Sequence, residues 1–158
     1  MRGAERSHSG RLEISPAGIR YSMRFHSDTP PDLIASLSLE TASPRGARHQ
    51  VAQLDSPSSG LREELALLTS ELVTRAVRQR EALSKDAVEL RVWMPEDRVR
   101  VELHAAPELK VLTPDPPEPD YDLMLLERIA DRWSVESDDS EACLWFELDR
   151  RGEARRAA

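Results

Sequence analysis

Between Leu61 and Arg80 the apolar residues Leu61, Leu65, Leu68, Leu72 and Ala76, with Leu67 and Val73 beside them, recur at steps of three and four. That spacing is the buried stripe of an amphipathic helix, and neither Pro nor Gly interrupts it. Ser59-Gly60 ahead of the stretch supplies a cap and a break. A thinner helical pattern opens at Ser43-Pro44 and runs to about Leu54 on Ala47, Val51, Ala52 and Leu54, with proline at the first helical position. A third runs from Tyr121 to Trp133 on Leu123, Leu126, Ile129, Ala130 and Trp133.

Elsewhere the apolar residues alternate with period two, the signature of strands with one wet face. Ile19, Tyr21, Met23 and Phe25 alternate with polar neighbours, and Ser15-Pro16-Ala17-Gly18 ahead of them predicts a hairpin with Arg11–Ile14. Asp86–Met94 reads as a strand on Val88, Leu90, Val92 and Met94, turning at Pro95-Glu96-Asp97 into Val99–Leu103. Val135 and Cys143–Leu148 form two more strands around the acidic turn Glu136–Glu141. Leu33 to Leu39 is apolar with no decisive period and reads as loop or a short turn of helix. The four prolines of Thr113–Asp120 predict an extended, exposed connection.

The order strand, helix, long helix, hairpin, helix, hairpin predicts an α/β (α+β) two-layer sandwich, a mixed and mostly antiparallel sheet covered on one face by about three helices. Residues 1–10 have little to bury and read as a disordered tail, 11–149 as a single domain, and 150–158 as a basic C-terminal tail. A chain of 158 residues suffices for one core and is short for two.

Charge narrows the function classes. The net charge is −7, and residues 106–141 hold eleven acids against Lys110, Arg128 and Arg132, a balance of −8 within that stretch alone. The basic ends carry no aromatic platform or reading helix, so direct nucleic-acid binding is not expected. No stretch approaches the roughly 18 apolar residues of a membrane helix, and Met1 is not followed by a leader pattern, so a cytoplasmic protein with no membrane contact is the expectation. The single Cys143 excludes an intramolecular disulfide and a Cys-cluster zinc site, and reads as a small half-buried strand residue. His8, His26, His49 and His104 are scattered at no metal-ligand spacing, so no metal site is expected. No nucleophile elbow or phosphate loop is present.

Ser70-Glu71-Leu72-Val73-Thr74-Arg75-Ala76-Val77-Arg78 resembles the first nucleotide-binding motif of the histidine-kinase-like ATPases, most closely their bacterial anti-sigma-factor serine kinase branch. Leu125–Val135 (LLERIADRWSV) and Leu144–Leu148 (LWFEL) look like that branch's closing helix and strands, and the resemblance covers residues 43–149. It implies the two-layer sandwich independently of the periodicities. It also implies chemistry in four parts: a Glu base and a metal-holding Asn one turn apart, an Asp followed by Gly at the adenine, glycines before the closing helix, and a small hydroxyl residue on the penultimate strand.

Glu71 matches the base. Arg75 stands at the Asn position, and a guanidinium has donors only, so it cannot ligate Mg²⁺. At i and i+4 the two form an ordinary helix ion pair. His104-Ala105-Ala106-Pro107 stands where the Asp and Gly are needed, Pro119-Asp120-Tyr121-Asp122-Leu123 where the glycines are, and Ala142-Cys143 at the hydroxyl position. The resemblance therefore implies a regulatory protein-binding module that has lost most nucleotide-binding residues, with no cofactor. Its partner would be a sigma factor or a small anti-sigma antagonist, met along the acidic and proline-rich segments, and a homodimer is left open. Two alternatives stand beside it. One is a divergent ATP-dependent serine/threonine kinase with Glu71 as base and Arg75 replacing the metal as a phosphate contact. The other is an unrelated interaction domain on the same fold.

Overall fold

The computed structural model describes residues 12–15, 18–21, 28–55, 58–109 and 121–150, with the backbone alone for 12–15, 18–21 and 121–123. The predicted tail at 1–10, all but Arg150 of the predicted tail at 150–158, and the proline-rich connection at 113–120 lie outside the described residues.

The fold is an α+β two-layer sandwich. An N-terminal hairpin of β1 (Leu12–Ser15) and β2 (Gly18–Tyr21) pairs antiparallel with Ser15 opposite Gly18, as the turn signal predicts. Then follow β3 (Leu33–Ser38), α1 (Ser43–Ala52), α2 (Ser59–Arg78) with a short 3₁₀ turn at Arg80–Ala82, β4 (Ala87–Trp93), β5 (Arg98–Ala105), α3 (Tyr121–Ile129), β6 (Arg132–Ser137) and β7 (Ala142–Asp149). Five strands form one open sheet in the order β3-β4-β5-β7-β6. Every pairing among the described residues is antiparallel, so the mixed sheet of the sequence reading is purely antiparallel here.

Period-two burial fixes the two faces of the sheet. Val88, Leu90 and Val92 on β4, Val99, Val101 and Leu103 on β5, and Leu144, Phe146 and Leu148 on β7 are fully or almost fully buried toward one side. On α2, Leu65, Leu68, Leu72 and Ala76 are buried likewise and join the same core, with α2 lying against β5, β7, α1 and α3. At about 25 cal/mol per Å² of apolar surface, this shared layer is the main source of stability. The hairpin's β1 comes close to β6, at the sheet edge opposite β3.

Four local expectations need correction. Leu33–Ser38 is an edge strand, not a loop or helical turn: Ala35 and Leu37 face the core, while Ile34, 59% exposed, interrupts the alternation and hides it. The long helix starts at Ser59, two residues before its apolar stripe, because Ser58 is the cap, its hydroxyl accepting from the Leu61 N–H at 3.1 Å. Gly60 therefore lies inside the first turn. The third helix stops at Ile129, and Trp133, which keeps helical spacing by coincidence, belongs to β6 opposite Phe146 and packs at the core's edge. Finally β5 runs three residues beyond the predicted strand, so that Arg98, His104 and Ala105 join the ladder.

Candidate functional site

Glu71 and Arg75 both lie in the last two turns of α2, in the helical layer, Glu71 partly buried and Arg75 7% exposed. Ala105 and Ala106, at the position where the resembled family reads adenine, are buried to 4% and 1% exposure. The two parts of the motif are thus occupied by a buried cation and by two methyl groups. Ala142 is fully buried and Cys143 half-buried on β7. Pro119 and Asp120 lie outside the described residues.

The other face of the sheet carries a denser chemistry. Pairing of β5 with β7 sets Arg98 opposite Asp149, Arg100 opposite Glu147, Glu102 opposite Trp145 and His104 opposite Cys143. These are the alternate residues to the apolar ones, so all point away from the helices. A solvated face would be the ordinary outcome for such residues. Instead Arg100, Glu102, Glu147, Glu136 and Ser134 are all under 9% exposed.

Arg100 is the hub. Its Nε donates to Glu102 Oε1 at 2.8 Å, its Nη1 to Glu147 Oε1 at 3.0 Å, and its guanidinium lies 4.1 Å over the Trp145 ring. Trp145 in turn donates its Nε1–H to Glu136 Oε1 at 3.2 Å. From the far strand, Arg132 donates its Nε to Glu147 Oε2 at 2.6 Å and its Nη2 to Asp149. Arg98 adds a longer contact to Glu147 at 3.6 Å. Buried charges persist only when paired and hydrogen-bonded in this way, and the geometry satisfies both oxygens of Glu147 and both of Glu102.

At one end of this network Glu102 Oε2 is 2.9 Å from His104 Nε2, and the same ring nitrogen is 3.8 Å from Cys143 Sγ. His104 Nδ1 faces Glu141 Oε1 at 3.5 Å. Burial would raise the Glu102 carboxyl, but hydrogen bonds from His104 and Arg100, reinforced by their charge, hold it below the usual carboxylate range. Cys143 moves the opposite way: burial, with Glu102, Glu136 and Glu141 nearby, pushes the thiol up. A Cys–His pair acts as a nucleophile through a thiol made more acidic, and the Cys143 thiol is shifted the other way.

Trp93 donates to the Thr29 carbonyl at 3.0 Å at the sheet's β3 end. An open recess of about 600 Å³ there is lined by Pro30, Pro31, Ile34, Arg91 and Trp93, with Glu89 paired to Arg91 at 2.5 Å.

The structure keeps the predicted pair Glu71 and Arg75 on one helix and brings neither into the buried charged cluster. It also joins His104 and Cys143, which the sequence reading left apart as a scattered histidine and a plain strand residue. The available signal was the parity of two strands: Arg100, Glu102, His104 on one and Cys143, Trp145, Glu147 on the other are polar at every second position. No helix among the described residues is long and apolar enough to cross a membrane. Comparison of the chain with protein-family profiles and with curated proteins found no match.

Proposed function

We propose that this chain is a regulatory protein-binding module, a non-catalytic relative of the anti-sigma-factor serine kinases in which the sandwich is kept and the nucleotide site is lost. The observation that carries the reading is Arg75: it is buried in α2 at the position where the resembled family needs an oxygen ligand for Mg²⁺, and guanidinium offers none. Ala105 and Ala106 support it, since a buried methyl group can neither accept from an adenine amino group nor make room for the ring. A domain of this kind acts by contact, and by resemblance the partner is a sigma factor or its small antagonist.

Isothermal calorimetry with ATP, with and without Mg²⁺, tests the loss. No heat of binding at millimolar ATP is the expected result. Micromolar binding that needs no metal and disappears in Arg75→Ala would overturn it, and would make Arg75 a phosphate ligand with Glu71 as the base of a working kinase.

A further inference from the structure

The polar face of the sheet gathers three side chains of the types that hold transition metals. Glu102 and His104 are two residues apart on β5, hence on one face, and Cys143 stands opposite His104 on β7. A Glu102 oxygen, a His104 ring nitrogen and the Cys143 sulfur all lie within 4.8 Å of one another. We propose that Glu102, His104 and Cys143 form a binding site for a zinc-like divalent metal ion, with the fourth coordination position left to a non-protein ligand.

The distances fit such an ion. Bonds of about 2.0–2.3 Å in tetrahedral geometry place donor atoms about 3.4–3.6 Å apart. The Nε2 to Oε2 distance of 2.9 Å and the Nε2 to Sγ distance of 3.8 Å bracket that value. Mixed nitrogen, sulfur and oxygen donors suit zinc and exclude the all-oxygen preference of magnesium and calcium.

The surrounding groups fit as well. Ligands of this kind are oriented by a second layer of hydrogen bonds. Glu102 uses Oε2 toward His104 while Arg100 holds Oε1 at 2.8 Å, leaving Oε2 aimed at the site. His104 presents Nε2 to the site, and its buried Nδ1, which has no hydrogen-bond partner among the described residues, lies 3.5 Å from Glu141 Oε1. Carboxylates also outnumber arginines around the cluster: among the described residues that pair within it, Arg98, Arg100 and Arg132 stand against Asp97, Glu102, Glu136, Glu141, Glu147 and Asp149. This surplus of negative charge favours a cation there.

Binding breaks the S–H bond of Cys143 and the hydrogen bond between His104 Nε2 and Glu102 Oε2; the thiol proton leaves to solvent and the ring proton is carried on Nδ1, so that the sulfur, Nε2 and Oε2 each bond the metal with no change of oxidation state. Affinity therefore increases with pH.

Cobalt(II) added alone to the full chain, without nucleotide, tests the site independently of the ATP experiment. The expected result is a thiolate-to-cobalt charge-transfer band with the visible bands of a tetrahedral ion, saturating at a single ion per chain and bleached by zinc. Cys143→Ser should remove the charge-transfer band. Glu141→Gln, in the turn between β6 and β7 and not a ligand, should weaken cobalt binding about 10-fold. Absence of the charge-transfer band in the unaltered chain, or its persistence in Cys143→Ser, overturns the proposal. The cluster would then be a hydrogen-bonded network of Glu102, His104 and Cys143 without a metal. The first of these readings needs no variant to fold.

Discussion

On the two faces of β5 and β7, side chains are buried by opposite means. Toward the helices, Val99, Val101, Leu103, Leu144, Phe146 and Leu148 are sealed by α2 and its neighbours, and shape alone decides what fits. On the reverse of the same two strands, Arg100, Glu102 and Glu147 are almost as inaccessible, and there every charge needs a partner of the right sign at hydrogen-bond distance. An apolar core tolerates substitution by other apolar residues of similar volume at modest cost. A buried ion network does not, because removing one member strands the others. The helical side, where the resemblance to an ATPase lies, is therefore the chemically permissive half of this molecule. The buried charges are concentrated on the reverse side.

The contrast is most directly broken at Arg100. Arg100→Ala leaves Glu102 and part of Glu147 buried without their cation, and a loss of about 3–5 kcal/mol in urea or thermal unfolding is expected. A loss below about 1 kcal/mol would mean that the network behaves as exposed ion pairs do, and the two faces would differ less than their burial implies. Replacing Arg100, Glu102 and Glu147 together by apolar residues of similar volume should recover most of that loss.

Acid sharpens the comparison from the other direction. The Glu102 carboxyl titrates below its unfolded value of about 4.3, so its contribution to stability is full above that pH and is lost as pH falls through the lower, folded value. Glu102→Gln should accordingly lie below the unaltered chain in stability near neutral pH and converge with it in acid. Parallel curves over the whole range would show that the carboxylate is not held by His104 and Arg100.

The smallest effect is expected on the helical side. Thr69 in α2 is fully buried and its hydroxyl finds no hydrogen-bond partner among the described residues. Thr69→Val removes an unsatisfied group without changing shape, and should be neutral or stabilising by about 1 kcal/mol. A clear destabilisation would reveal a polar requirement inside the apparently permissive layer.

Much of this architecture was legible in the order of apolar residues. The long helix, the β4–β5 hairpin and the alternation of Leu144, Phe146 and Leu148 are all local periodicities, and local patterns survive in a linear text. What failed was either too short or too ambiguous. The six residues of β3 include Ile34 on the wrong face, and Trp133 continues a helical count that the chain has already abandoned at Ile129. The Glu102, His104 and Cys143 cluster was illegible for a different reason. His104 and Cys143 are 39 residues apart, and they meet only because β5 and β7 pair in one particular register. A shift of one residue between the two strands would have put these side chains on opposite faces of the sheet.

That register also has a kinetic meaning. β4–β5 and β6–β7 are neighbours in sequence and can pair as hairpins on the microsecond scale, whereas β5 and β7 meet only after the chain between Ala106 and Glu141 has closed into a loop. The contacts of Arg100 with Glu147 and of His104 with Cys143 both cross this seam. If they form only after the two halves have docked, disrupting them leaves the folding rate nearly unchanged and accelerates unfolding, which stopped-flow kinetics of Arg100→Ala would show. The charged face works as a latch on the closed sheet, and its value to the protein is measured in lifetime.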